Sequence, residues 1–284
     1  MDRSLARRLW RRLEAYHAVV YFAPEKKAEY DAAGLKGGWM GYFAGRAAPL
    51  GPASAELVTA VFYNFHPAMV RRSIPDAWSF STPGRVLEAR LRIVDAALRR
   101  LLGDRAEDVA DAADVCLAAA AAAGVAGRPL FAANAALAPP PAPHLRLWHA
   151  TTLLREHRGD GHVAALVAAG IDGCEAHLTL AATGGVPESE LQPNRGWSDE
   201  EWAAARERLV ERGLLDEGGR PTPEGADLRR WVEERTDELA IEPWRAAGEA
   251  AALKALELLA EPVRAIVDGG GVPFPNPMGL PRPV

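Results

Sequence analysis

Residues 196–240 read GWSDEEWAAARERLVERGLLDEGGRPTPEGADLRRWVEERTDELA, and this stretch decides the fold. Ser198 stands three residues before Glu201, the spacing of a capping box, so a helix is expected over 198–213. Trp202, Ala205, Leu209 and Val210 form its apolar face. Gly213 follows as a terminating C′ glycine. Leu214-Leu215 and Arg220 flank Asp216-Glu217-Gly218-Gly219, a turn suited to a short hairpin. Thr222-Pro223-Glu224 then offers a cap, a proline at the first helical position and an acid in the positive first turn. A second helix follows over 222–240, returning Leu228, Trp231, Val232 and Leu239 to the core. Helix, glycine-turned hairpin and helix are the order of a winged helix.

The charge of this stretch has the wrong sign for meeting DNA. Residues 195–240 carry 13 acidic and 8 basic side chains, while the rest of the chain balances at 25 of each. A winged helix that binds duplex DNA needs surplus Lys and Arg to replace phosphate counterions. Here the first turn of the recognition helix reads Ser198-Asp199-Glu200-Glu201 and would repel phosphates. Arg206, Arg208, Arg212 and Arg220 remain able to reach a backbone. The stretch resembles the recognition helix, wing and following helix of MarR-type regulators. Two uses stay open: duplex binding, or packing and dimer formation.

Working outward, nearly every other segment has a helical period. Helices are expected near 4–22, 25–33, 37–47, 54–72, 83–102, 105–123, 144–158, 161–169, 172–183 and 246–267. The expected fold is mainly α: a helical N-terminal domain and a winged-helix-like C-terminal domain with a short β wing. Four prolines lie within residues 138–143, a composition for a stiff spacer. The expected division is therefore an aromatic-rich helical domain over 1–137, the linker 138–143, a winged-helix-like domain over 144–245, and a terminal helix and tail over 246–284. Nothing apolar is long enough to span a membrane. Leu5, Leu9, Leu13, Tyr16 and Val20 recur at helical spacing, so the basic N-terminus reads as an amphipathic helix rather than a secretion signal. Cys116 and Cys174 supply no disulfide framework, which points to a reducing, cytoplasmic setting.

Thirteen of the 20 aromatic residues fall within the first 80 positions, a density found in cleft walls as well as in ordinary cores. Polar residues are embedded among them. His17 shares a helix face with Leu13 and Val20 and lies one turn from Tyr21. Gly41 and Gly45, four apart, permit a close approach, and Arg46 follows with little polar company. Tyr63, Asn64 and His66 precede Pro67, which restricts His66 to extended geometry and breaks the helix; Arg71 is nearby. Buried, these groups need partners.

A second polar island, Arg155-Glu156-His157-Arg158-Gly159-Asp160-Gly161-His162, reads as an interruption between two Ala/Leu-rich helices. His149 and His157 share a side of the first. Asp160 is a candidate for orienting a histidine base, and Arg155 or Arg158 for binding a carboxylate or phosphate. The plainer alternative makes Asp160 a helix cap and each histidine a hydrogen-bonded core residue. Five histidines (His17, His66, His149, His157 and His162) leave a His-ligated metal or haem open as a cofactor. No HExxH, helix-borne HxxxH or CxxC pattern supports zinc. Cys174 and His177 lie three apart on one helix face, where buried cysteine as a small hydrophobe is the simpler reading. Walker, GxGxxG and GxSxG motifs are missing.

The combination YFAPEKKAEYDAAGL, YFAGRAAPLG, FYNFHP and LLREHRGDGHVAAL, followed by RGWSDEEW, is similar across nearly the whole chain to an actinobacterial family that carries a helix-turn-helix label. The resemblance implies that both polar islands belong to one architecture, and the label implies regulation. It transfers no catalytic residue. The leading reading from the sequence is a small-molecule-binding protein with an interdomain pocket, which as an enzyme would use histidine acid–base or metal chemistry. His157, Asp160 and His162 are its candidate catalytic residues; His17, Tyr21, Tyr63, Asn64, His66, Arg71 and Arg158 are its candidate ligand contacts. The alternatives are a ligand-responsive winged-helix regulator that binds DNA and a structural protein that forms a homodimer. Membrane partners are not expected.

Overall fold

The computed structural model describes residues 2–283. The N-terminal half contains α1 (Arg3–His17), α2 (Val19–Phe22), α3 (Lys26–Ala32), α4 (Gly37–Ala47), α5 (Ala55–Phe62), α6 (Pro67–Arg71), α7 (Ala77–Phe80), α8 (Pro83–Leu102), α9 (Ala110–Ala121) and α10 (Pro129–Ala135). Then follow α11 (Pro143–Ala168), α12 (Gly173–Ala182), α13 (Glu188–Arg195), α14 (Asp199–Glu211), α15 (Pro223–Ala240), α16 (Glu242–Ala247) and α17 (Glu249–Asp268). The fold is mainly α. No single helix is long and apolar enough to cross a membrane among the described residues.

The expected caps form. Ser198 accepts from the Glu201 amide while Glu201 bonds back to the Ser198 amide, closing the capping box of α14. Thr222 accepts from the Gly225 amide and opens α15 with Pro223 at its first position. The break before Pro67 also forms: α5 ends at Tyr63, which has φ of 56°, and the His66 side chain caps α6.

Two expectations are corrected. Among the described residues the wing is no strand pair but an isolated antiparallel bridge between Leu215 and Pro221. Pro221 has no N–H to donate, so the ladder cannot extend through it; Asp216 closes the turn by accepting from the Gly218 and Arg220 amides, both at 2.9 Å. The helix expected to break at Gly159–Gly161 does not break, and α11 runs for 26 residues. A glycine inside a helix costs about 1 kcal/mol relative to Ala. Gly161 meets a packing need instead: a Cβ there would collide with the Arg128 guanidinium and approach Leu239 Cβ at 3.2 Å. The predicted notch at Gly41 and Gly45 is filled by the Tyr30 ring, which lies against both.

Among the described residues, two hydrophobic cores result. One gathers α1, α8, α9, α16 and α17 around Trp148 and Trp244. The other gathers Ile171, Cys174, Trp202, Leu209, Leu215 and Val232. Helix α11 serves both: Leu147 to Leu154 lie in the first, and Ala165 and Leu166 in the second. This shared helix places residues packed on both cores, Tyr42 and Ala176 among them, around one space.

Candidate functional site

That space is a cavity of about 1030 Å³. Its walls come from α1 to α5, α8, α11 to α13, α15 and the tail at Pro277–Pro281. The two polar islands meet here, joined by a residue the sequence reading did not single out. Glu156 is 1% exposed and takes a two-pronged contact from Arg46, Nε to Oε1 at 3.2 Å and Nη2 to Oε2 at 3.1 Å. Arg155 Nη1 adds a third bond to Oε1 at 2.8 Å, and its Nε lies 3.4 Å from Glu14. Burial alone would raise the Glu156 carboxyl, but Arg155 and Arg46 hold it well below the ordinary carboxylate range. The carboxylate is therefore charged at any working pH.

Register on α11 explains the arrangement. Trp148, Thr152, Arg155, Gly159 and Val163 all line the cavity and recur at helical spacing. His157 lies roughly 180° from Trp148 at 3.6 residues per turn. Reading the helix as interrupted after residue 158 loses the place of Gly159 and Val163 in this register.

Five of the ten sequence-proposed site residues line the cavity: His17, Tyr21, Asn64, Arg158 and His162. His17 has a defined tautomer. Thr152 Oγ1 donates to the Trp148 carbonyl at 2.8 Å, so it accepts from His17 Nδ1–H at 2.9 Å. His17 Nε2 then accepts from the Tyr21 hydroxyl at 2.9 Å. The imidazole also stacks on Trp148, with centroids 5.7 Å apart. Burial, then the Arg155 charge, push its pKa well below the ordinary histidine value, so it is neutral. His162 bonds Thr236 at 2.8 Å, and burial lowers it to about 3. Arg158 lies over the Trp10 ring at 4.5 Å.

The other five lie elsewhere. His157 faces the opposite side of α11, edge-on to Phe131 at 5.2 Å, and burial lowers it to about 4. Asp160 accepts from the Phe131 amide at 2.9 Å, so it caps α10 instead of orienting a histidine. Capping was the plainer reading of the sequence, but the helix served is not the one beginning at Gly161. Tyr63 donates to the Ile171 carbonyl. Arg71 is exposed, with Glu56 3.7 Å away. His66 caps α6 through Nδ1 and reaches Glu201 Oε1 through Nε2 at 2.7 Å.

The His66 contact ties the cavity to α14. Asn64 and Phe65 line the cavity, and the Asn64 carbonyl accepts from His177 Nε2 and Trp197 Nε1, both at 3.1 Å. Trp197 directly precedes the Ser198 cap. The segment 64–66 thus touches the cavity on one side and the start of α14 on the other.

The histidines do not form a metal centre. No group of three or more His, Cys, Asp or Glu side chains is placed to hold a metal ion among the described residues. His149 and His157 lie off the cavity, and His17, His162 and His177 use ring nitrogens in protein hydrogen bonds. The donor set therefore does not fit a metal held by three or more side chains. Cys174 is a buried free thiol, and burial raises it to about 12, as expected of a core hydrophobe.

The wall has an apolar side and a cationic side. Trp39, Tyr42, Phe62 and Phe65 form an aromatic group, with Tyr42 and Phe65 centroids 5.5 Å apart. Ten Lys or Arg side chains line the cavity against four Asp or Glu, in a chain whose net charge is −5. The surface of α14 is the reverse. Asp199, Glu200, Glu207 and Glu211 lie on its exposed face. Arg206 is paired with Glu188, Arg208 with Asp172 and Glu175, Arg212 with Glu175, and Arg220 with Asp216.

Residues 6–273 match the model of a helix-turn-helix family. No curated protein and no solved structure matches the chain.

Proposed function

The chain belongs to this helix-turn-helix family, and from that premise we propose that it is a receptor for a small organic molecule, bound in the cavity between the aromatic helices and the helix-turn-helix unit. One observation carries the reading: residues from both polar islands converge on a partly open cavity of about 1030 Å³, large enough to hold a drug-sized ligand. His17 and Tyr21 have fixed hydrogen-bond roles there, and Glu156 locks Arg46 and Arg155 in place. Such preorganisation lowers the ordering cost of binding. Titration with phenylnaphthylamine, a neutral apolar fluorophore, tests the reading. Saturable binding of one molecule per chain is expected. No binding of this or any charged analogue overturns it.

A second reading has its own support. Family membership favours a regulator that contacts duplex DNA, and the segment 64–66 offers a route by which ligand would act on α14. The paired arginines and acidic face of α14 weigh against direct phosphate contact through that helix. Mobility shift at low salt discriminates the two. A shift weakened by Arg206→Glu or Arg208→Glu supports the regulator, and no shift at low salt removes α14 as a DNA contact.

A further inference from the structure

The cavity's cations are not all neutralised, and this identifies what kind of molecule fits. Arg46 and Arg155 share Glu156 and Glu14; Arg7 and Arg158 face Glu233 and Asp237; Arg229 pairs with Glu233. Four cavity cations, Arg11, Lys26, Arg90 and Arg195, have no carboxylate within 4.0 Å among the described residues, and of these Arg90 and Arg195 lie over aromatic rings of the wall. Arg90 is 7% exposed, lines the cavity, and has a single hydrogen bond, Nη1 to the Gly45 carbonyl at 3.1 Å. Its Nε is buried with no partner. Arg195 lines the cavity too and bonds only backbone carbonyls, Asn194 at 3.1 Å and Pro277 at 2.9 Å. Neither Arg90 nor Arg195 has a carboxylate partner among the described residues, whereas Arg7, Arg46, Arg155, Arg158 and Arg229 each have one. A buried charge without a counterion is expensive, so the site is built around one supplied from outside.

The apolar half of the cavity lies beside these cations. Arg195 lies over Phe65 at 4.8 Å, Arg46 over Phe62 at 4.2 Å, and Arg90 over Trp148 at 5.2 Å. Resting on the receptor reading above, we propose that the ligand is an amphipathic organic anion. Its apolar, ring-containing body lies against Tyr42, Phe62 and Phe65, and its carboxylate, sulfonate or phosphate oxygens pair with Arg90 and Arg195. A guanidinium fork matches such oxyanions, and its charge persists at all working pH values. Neutral apolar compounds would leave both guanidiniums unpaired, and inorganic anions would leave the aromatic wall unused.

Three probes separate these terms: anilinonaphthalene sulfonate, its neutral analogue phenylnaphthylamine, and inorganic sulfate. The sulfonate is expected to bind one molecule per chain, at least tenfold tighter than the neutral analogue. Arg90→Met and Arg195→Met are each expected to weaken the sulfonate tenfold or more while leaving the neutral probe unchanged. Arg71→Met, outside the cavity, leaves both alone. The two arginine variants are independent, so misfolding of one, seen by circular dichroism, leaves the other as the test. Equal affinity for sulfonate and neutral probe, unaffected by either variant, overturns the anion proposal but leaves the receptor standing. Failure of both fluorophores overturns both. Sulfate displacing the sulfonate with comparable affinity overturns the requirement for an apolar body.

Discussion

Replacing Glu156 with Gln removes the one negative charge on which two buried guanidiniums converge. Gln keeps the shape and an acceptor oxygen, so the change is electrostatic. At an effective dielectric of about 20, a charge pair at the 3.1 Å Arg46 contact attracts by roughly 5 kcal/mol. The Arg155 contact at 2.8 Å adds to this. In the wild type much of that attraction offsets the cost of burying the ions. In the variant the arginines stay buried and the offset is gone, so a loss of about 3–5 kcal/mol is expected. Urea denaturation measures it, and a melting shift on the order of 10 °C should accompany it. The pH dependence has a definite sign. The folded carboxyl is held below its unfolded value, so its contribution is complete above the unfolded glutamate pKa of about 4.3 and is lost as pH falls toward the folded value. The gap between wild type and variant should therefore be constant from about pH 5 to 8 and narrow below about pH 4. Anilinonaphthalene sulfonate should also bind the variant more tightly, since the cavity gains net positive charge. A loss under about 1 kcal/mol with no change in anion affinity would refute the reasoning.

Asp160 gives the opposite pH behaviour. Burial pushes its carboxyl up to about 6, opposed by the Phe131 amide, so stability present below the unfolded aspartate value is lost as pH rises through about 6. Asp160→Asn retains the cap acceptor and should match wild type near pH 4 but be more stable by about 2–3 kcal/mol at pH 7, read from melting curves. Its probe affinity should not change. Gly45→Ala would drive a Cβ into the Tyr30 hydroxyl and is expected to cost about 1–3 kcal/mol in urea denaturation. His66→Ala should cost about 1 kcal/mol and speed amide exchange at the start of α14, with fluorophore affinity intact. Lost affinity in that variant would return His66 to the ligand.

The sequence by itself determined the helical class and the elements with local causes. The caps at Ser198 and Thr222, the stop at Gly213 and the break before Pro67 depend on neighbours within a few residues. It also determined the acidic surface of α14, because exposed charge is read from composition and helix phase. The short helices α10, α13 and α16 were not anticipated, since too few turns carry a period.

The tertiary structure decided the site. Glu156, Arg46, Arg90 and Arg195 are far apart in the chain, and nothing local tells which arginine meets a carboxylate and which meets only carbonyl oxygens. Packing also keeps α11 helical through two glycines, against propensity, and at Gly161 it is Arg128 and Leu239 that need the room. The unbroken helix carries Gly159, His162 and Val163 onto the cavity in register with Trp148, Thr152, Arg155 and Glu156. The same glycines, read locally, signal a turn and group the histidines as a catalytic island. Packing overrides that local signal because a helix buried on several sides gains more from its contacts than two glycines cost.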